Sequence, residues 1–129
     1  MTFRSRAIFL PLAASLALLT ACGGGDGSDG KGAIALSDTT GKAAIVWNAA
    51  NQNEANDAAR DTCGGGDCRV ILQFSQCGAI STDFNLRKYG VGEGSSEQAA
   101  QDKADEACRA AGGKNCKAPT DGNLAAKCN

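Results

Sequence analysis

The sequence predicts an α+β domain: two pseudo-repeats of strand-strand-helix-strand forming an antiparallel sheet with two helices packed on it, stapled by disulfides. Three observations predict it. The chain repeats its own order of features with a period of about 46 residues. Each half holds one alanine-rich segment with helical spacing, set among short β-like runs. Six cysteines fall at matching places in the two halves.

The repeat is visible residue by residue. Gly32-Ala33-Ile34 returns as Gly78-Ala79-Ile80, and Lys42 to Val46 has a counterpart in Arg87 to Val91. A polar, alanine-rich segment from Asn51 to Cys63 returns from Ser96 to Cys108. Each is followed by a glycine-rich turn and a second cysteine, Cys68 or Cys116, and each half closes on a third, Cys77 or Cys128. Residues 32–129 therefore read as one domain of two repeats, 32–77 and 78–129.

In the first repeat, Gly32 to Ser37 and Ala43 to Trp47 are strands flanking the turn Ser37-Asp38-Thr39-Thr40-Gly41. Asn51 is placed to cap a helix from about Gln52 to Thr62, with Glu54 three residues on, as in a capping box. Ala55, Ala58, Ala59 and Thr62 share one helical face, and alanine there lets a helix lie close to a sheet. The glycines from Gly64 end it. In the strand Arg69 to Phe74, alternation sends Val70, Leu72 and Phe74 to one face. In the second repeat, Cys77 to Phe84 and Lys88 to Gly92 form a weaker strand pair. Ser96 or Ser95 caps a helix reaching Ala111, with Ala100, Ala104, Ala107, Cys108 and Ala111 inward. The last strand, Lys117 to Gly122, carries Pro119 and a turn signal, so it is short or at an edge.

Before this domain, residues 1–21 read as a lipoprotein signal peptide. Arg4 and Arg6 precede an apolar run from Ala7 to Leu19, too short for a permanent membrane helix and suited to a secretory signal. Leu19-Thr20-Ala21-Cys22 resembles the bacterial lipobox, in which the cysteine is lipidated and becomes the new N-terminus. Residues 22–31, rich in glycine and small polar side chains, read as a flexible tether. The protein is thus expected to be exported and lipid-anchored. Gly23 after the cysteine resembles sorting to the periplasmic face of the outer membrane.

Lipidation of Cys22 leaves six cysteines, with 15 possible pairings in an oxidising compartment. The repeat selects one. Cys63 ends a helix and Cys68 opens the returning strand, so they pair across the turn; Cys108 and Cys116 do the same, and Cys77 with Cys128 joins the ends of the two halves. In the chain-entropy picture the two short loops contribute on the order of 2 kcal/mol each and the long one about 4 kcal/mol. The exported part has only one tryptophan, one tyrosine and two phenylalanines, a thin core for which such staples matter.

Composition excludes several chemistries. There is no histidine, which removes Ser-His-Asp and Cys-His catalysis and imidazole ligands. The cysteine spacings lack the close pairs that zinc and redox thiols use, so neither a metal nor any other cofactor is expected. Removing Arg4 and Arg6 with the signal leaves 11 basic residues against 14 acidic ones, a net charge of −3, with no basic run. That argues against nucleic acid as a partner.

Gly32-Ala33-Ile34-Ala35, Cys63-Gly-Gly-Gly-Asp-Cys68-Arg-Val and Phe74-Ser75-Gln76-Cys77-Gly78-Ala79-Ile80 resemble the domain of unknown function 4189 family over nearly the whole domain. The resemblance implies a small exported bacterial protein, often a lipoprotein, with no general activity assigned. Similar lipoproteins include immunity proteins that neutralise antibacterial effectors in the periplasm. The chain departs from the family pattern at Pro119, where an apolar strand is usual, and at Gly90 and Gly92, where aromatic residues are common.

The functional expectation is a lipid-anchored periplasmic binding module without catalytic residues, acting on a protein partner as an immunity protein or inhibitor. Candidate contacts are Trp47, Asp83, Phe84, Arg87 and Tyr89, because aromatic and arginine side chains dominate binding hot spots. A core role competes for Trp47 and for Tyr89. The alternatives are a structural envelope lipoprotein, or a cell-wall hydrolase using paired carboxylates such as Asp83 and Glu93.

Overall fold

The computed structural model describes residues 30–120 and 123–129. The expected signal peptide, the lipidated Cys22 and most of the tether lie outside the described residues. The first strand starts at Lys31, one residue before the expected domain boundary.

Each repeat builds the same three-stranded antiparallel sheet. In the first, β1 (Lys31–Leu36) lies between β2 (Ala43–Ala49) and β3 (Arg69–Phe74), with α1 (Gln52–Cys63) between β2 and β3 in the chain. In the second, β4 (Cys77–Asp83) lies between β5 (Lys88–Gly94) and β6 (Lys127–Cys128), with α2 (Glu97–Ala110) after β5. The α+β class and the disulfide staples stand as the sequence predicts. The strands, however, divide into two sheets instead of one.

The reason is the two-faced character of the central strands. Ala33 and Ala35 of β1 face α1, where they meet Ala55, Ala59 and Cys63. Ile34 and Leu36 point the other way, into a cluster with Phe74, Ile80, Tyr89 and Val91. In β4, Ala79 meets Ala100 and Ala104 of α2, while Ile80 joins that shared cluster. Each sheet thus carries a small-residue face covered by its own helix and a branched face with no helix to cover it. The two branched faces cover each other, giving the layer order helix, sheet, sheet, helix. Phe74, at the end of β3, is buried at this junction. Its ring lies against Gly32 and Gly78, the same position in the two repeats, where a methyl group would overlap the ring.

The helices begin where the sequence places them. Asn51 Oδ1 accepts from the Glu54 amide at 2.9 Å and Ser96 Oγ accepts from the Ala99 amide at 3.1 Å. The buried stripe of α1 is Ala55, Ala59 and Cys63, with Thr62 exposed, so it follows an i, i+4 line and not the wider face expected. In α2 the corresponding stripe is Ala100, Ala104 and Cys108. Ala111 is exposed and caps the helix from outside.

Three further expectations are corrected. Val70, Leu72 and Phe74 do not share a face. The β1–β3 register slips between Ile34–Leu72 and Ala35–Val70, leaving Ile71 as the extra residue of a bulge. Val70 therefore packs with the alanines under α1 and Leu72 with the intersheet core. The β4–β5 pair is also not the weaker one, since all seven residues of each strand are paired. That register matches Ile45 with Val91, an offset of 46 residues, so the equivalence of Lys42–Val46 with Arg87–Val91 is one residue out. The expected last strand survives as an isolated bridge of Lys117 to Thr82, and pairing resumes only at β6.

Gly90 and Gly92 are the means by which α2 approaches β5. A methyl group on Gly90 would overlap the Cys108 backbone nitrogen, and one on Gly92 would come within 2.6 Å of the Ala104 nitrogen. Both obstacles are helix backbone and cannot rotate away. The disulfides join Cys63 to Cys68, Cys108 to Cys116 and Cys77 to Cys128, the last two cysteines being direct partners in the β4–β6 ladder. Asn129 reinforces that end: its side chain accepts from the Asn48 amide and donates to the Phe74 carbonyl, and its amide donates to the Gln76 carbonyl.

Gly90→Ala is expected to destabilise the domain by about 3 kcal/mol through overpacking. Gly66→Ala, where nothing stands near the new methyl group, should change stability by less than about 0.5 kcal/mol. Urea denaturation of the two variants checks the contrast.

Candidate functional site

The β1–β2 and β4–β5 hairpin turns lie at the same end of the sandwich and flank a cleft of about 540 Å³. That is within the range of roughly 300–1,000 Å³ typical of ligand sites. Leu36, Leu124 and Thr62 contribute to its walls, and Lys42, Phe84, Arg87, Lys88 and Tyr89 line it from the two turns and β5.

The first turn is held by Asp67. Thr39 donates to one carboxylate oxygen through Oγ1 at 2.6 Å and through its amide at 3.1 Å, and Ser37 Oγ donates to the other at 2.7 Å. Donation from Thr39 and then Ser37 favours the charged form and holds the Asp67 carboxyl at about 2. Next to it, Asp38 takes two hydrogen bonds from Arg69, whose Nη2 also donates to Tyr89 Oη at 2.6 Å. The Arg69 guanidinium lowers the Asp38 carboxyl below the usual carboxylate range, and Asp38 and Tyr89 raise the arginine. This chain of contacts ties the first hairpin to β3 and to β5 of the other sheet.

Asp83 does the equivalent work in the second turn. It is 2% exposed. One carboxylate oxygen accepts the amides of Asn85 and Leu86, at 3.1 and 3.2 Å; the other accepts those of Lys114 and Asn115, both at 2.8 Å. The Asn115 and Lys114 amides lead in lowering its pKa. Its carboxylate fastens the turn to the disulfide loop after α2, so it is not free to touch a partner.

Arg87 sits in the left-handed region at φ 51°; by the 46-residue offset it matches Gly41, at φ 71°. The first repeat fills this turn with the residue that suits it, and the second puts an arginine there. A non-glycine residue in this conformation costs on the order of 1 kcal/mol. Phe84, beside it, is 80% exposed and Leu86 44% exposed.

Asp83, Phe84, Arg87 and Tyr89 are thus brought together. Trp47 is not among them. It lies on β2 toward the other end of the sandwich, 38% exposed, with Lys127 Nζ 5.0 Å from the ring centroid. It is therefore not a core side chain. Asp83 and Glu93 occupy opposite ends of the β4–β5 ladder, since Gly78 is the partner of Glu93. Five residues of strand separate them by about 17 Å, beyond the roughly 5–10 Å between the carboxylates of glycosidases. Sequence reasoning missed Lys42 and Lys88, which join Arg87 around the cleft. Lys88 follows Arg87 in the chain, but Lys42 comes from the other turn, so no longer run of basic residues announces the group. The repeat aligned at 46 residues pairs Lys42 with Lys88 and was the available signal.

Residues 32–121 match the model of a domain of unknown function, DUF4189. The chain belongs to that family. Over 72 residues it is 36% identical to uncharacterised proteins of Mycobacterium tuberculosis (Rv1813c) and Mycobacterium bovis (Mb1843c). Those residues are 56% of this chain and 47% of each relative, so the match spans about half the length of these curated relatives. The NMR structure of Rv1813c aligns with all of this chain and 97% of that one, with a TM-score of 0.60 and 22% identity, a similarity of fold. The DUF4189 match ends before Cys128, so the Cys77–Cys128 disulfide, which lies within the second sheet and does not bridge the two halves as expected, has one partner beyond the matched stretch.

Two outcomes follow for stability. Arg87→Gly is expected to raise the melting temperature by a few degrees, because glycine adopts the left-handed turn without strain. The depressed Asp67 carboxyl stabilises the fold at pH above the ordinary value of 3.8, and that contribution is lost as pH falls toward about 2. Asp67→Asn should therefore lower the melting temperature at neutral pH and remove part of its decline between about pH 4 and pH 2, as followed by thermal melts across pH.

Proposed function

We propose that this domain is a lipid-anchored, non-catalytic binding module of the periplasmic side of the outer membrane, capturing a protein partner as an immunity protein or inhibitor. The observation that carries the reading is the character of the cleft. Phe84 and Leu86 are left in water beside an arginine in a left-handed turn, while the Asp38, Asp67 and Asp83 carboxylates around them are engaged in structural hydrogen bonds. Exposed aromatic and arginine groups on rigid turns suit binding. Carboxylates held charged and tied down by several donors do not suit acid–base work.

The direction of the chain supports the same reading. β1 starts at Lys31 and runs six residues to the cleft end, so the chain enters the sandwich about 20 Å from the cleft. A tether attached at Lys31 would leave the cleft turned away from its own attachment.

On this reading, cells labelled with palmitate incorporate the label into the full-length protein, and Cys22→Ala abolishes it. The gene beside this one encodes an exported toxin, and co-expression yields a stable complex and restores growth. A toxin that neither co-purifies with the protein nor is relieved by it would remove the proposal.

A further inference from the structure

We infer that the cleft takes an acidic segment of a partner protein, one that sets an apolar side chain among carboxylates. The inference deepens the binding-module reading and rests on it. Three cations, Lys42, Arg87 and Lys88, line the cleft from both hairpins. The ion pairs among the described residues are Arg60–Asp57 and Arg69–Asp38, so none of the three has an ionic partner there. The acids nearest to them are engaged: Asp38 by Arg69, and Asp83 by four backbone amides.

The charge is segregated across the molecule. The two helices, on the outer layers, carry seven carboxylates against three cations. An acidic domain that gathers free cations at one opening attracts an anion there and repels it elsewhere. Phe84 and Leu86 define the rest of the ligand. Phe84 lines the cleft and is 80% exposed, and Leu86, 44% exposed, belongs to the same turn, so a small anion inside the cleft would leave them in water. A polypeptide that crosses the rim covers them. A nucleic acid fits less well: Phe84 and Leu86 present a single stackable ring, and the acidic helices oppose a long polyanion. Arg87 fits the same account. Its left-handed backbone holds the guanidinium at the turn, where glycine would relax the chain and remove the charge.

The test is fluorescence anisotropy of the full folded domain with a short fluorescein-labelled peptide of glutamates around a central phenylalanine. Comparison probes carry lysine for glutamate or serine for phenylalanine, and a further arm uses phosphatidylglycerol vesicles. Saturable binding of the glutamate–phenylalanine peptide is expected, weakened about fivefold or more by raising the salt. The serine probe should bind more weakly and the lysine probe not at all. Lys88→Glu should weaken binding about tenfold without changing the melting temperature. Arg87→Gly should weaken it while raising the melting temperature, a combination that a folding defect cannot produce. No binding of the acidic peptide, equal binding of the lysine probe, unchanged affinity in both variants, or preference for the vesicles would overturn the inference. The binding-module reading is separable from it. If Lys42→Glu/Arg87→Glu/Lys88→Glu rescues a poisoned cell as well as the unaltered protein, the cleft assignment fails and that reading stands. If the unaltered protein does not rescue, the reading itself fails.

Discussion

The closeness of each helix to its sheet sets the rest of the architecture. Alanine faces alanine in the first repeat, and in the second the helix backbone of α2 rests on Gly90 and Gly92. Such contacts bury little apolar area per residue, so they cannot by themselves hold a domain of this size. They free the opposite face of each central strand to carry the larger side chains. Ile34, Leu36, Ile80 and Phe74 concentrate there, between the sheets. The bulkier core is therefore the junction of the two repeats, and the buried cluster that each keeps under its own helix is built from alanine and cysteine. The Cys77–Cys128 bond closes the second sheet at its connection to the first.

The pseudo-symmetry is kept in the framework and broken at the hairpins. Central strands, helix caps and the two helix-end disulfides correspond between the halves. The turns solve one problem in two ways. Both need an anion to gather amide and hydroxyl donors at the end of the central strand. The first repeat puts Ser37 directly after the strand and brings Asp67 from the loop after α1; the second puts the carboxylate, Asp83, at the end of the strand itself. That exchange, with Gly41 replaced by Arg87 and Asp38 by Phe84, makes one turn a support and the other a projecting surface.

Much of this was legible in the amino-acid order. Helix caps at Asn51 and Ser96 are local chemistry, and the structure uses both. The inward alanines at 55, 59, 100 and 104 follow from helical periodicity alone. What escaped depends on partners distant in sequence. The bulge at Ile71 reverses the facing of Val70, and nothing within the strand announces it, because it is set by the pairing with β1. Gly90 and Gly92 read as departures from the family pattern, where aromatic residues are common, whereas the approach of α2 requires glycine at both. The cleft was half legible. Phe84 and Arg87 stand out as residue types, but Lys42 reaches them only through the packing of one repeat on the other.

The separation of framework from rim has an energetic consequence. Lys42, Lys88 and Phe84 are not part of the three buried clusters, so their side chains can change with little effect on the core. Asp67 and Asp83 behave in the opposite way. Each is central to its turn and neither projects from it, so altering either would move the cleft walls without touching the surface a partner meets. Arg87 alone belongs to both sets. Its side chain is at the rim while its backbone is strained, and the strain is a local cost of about 1 kcal/mol that the turn would not bear with glycine. A residue that lowers stability where its twin in the other repeat does not is best explained by what its side chain does outside the fold.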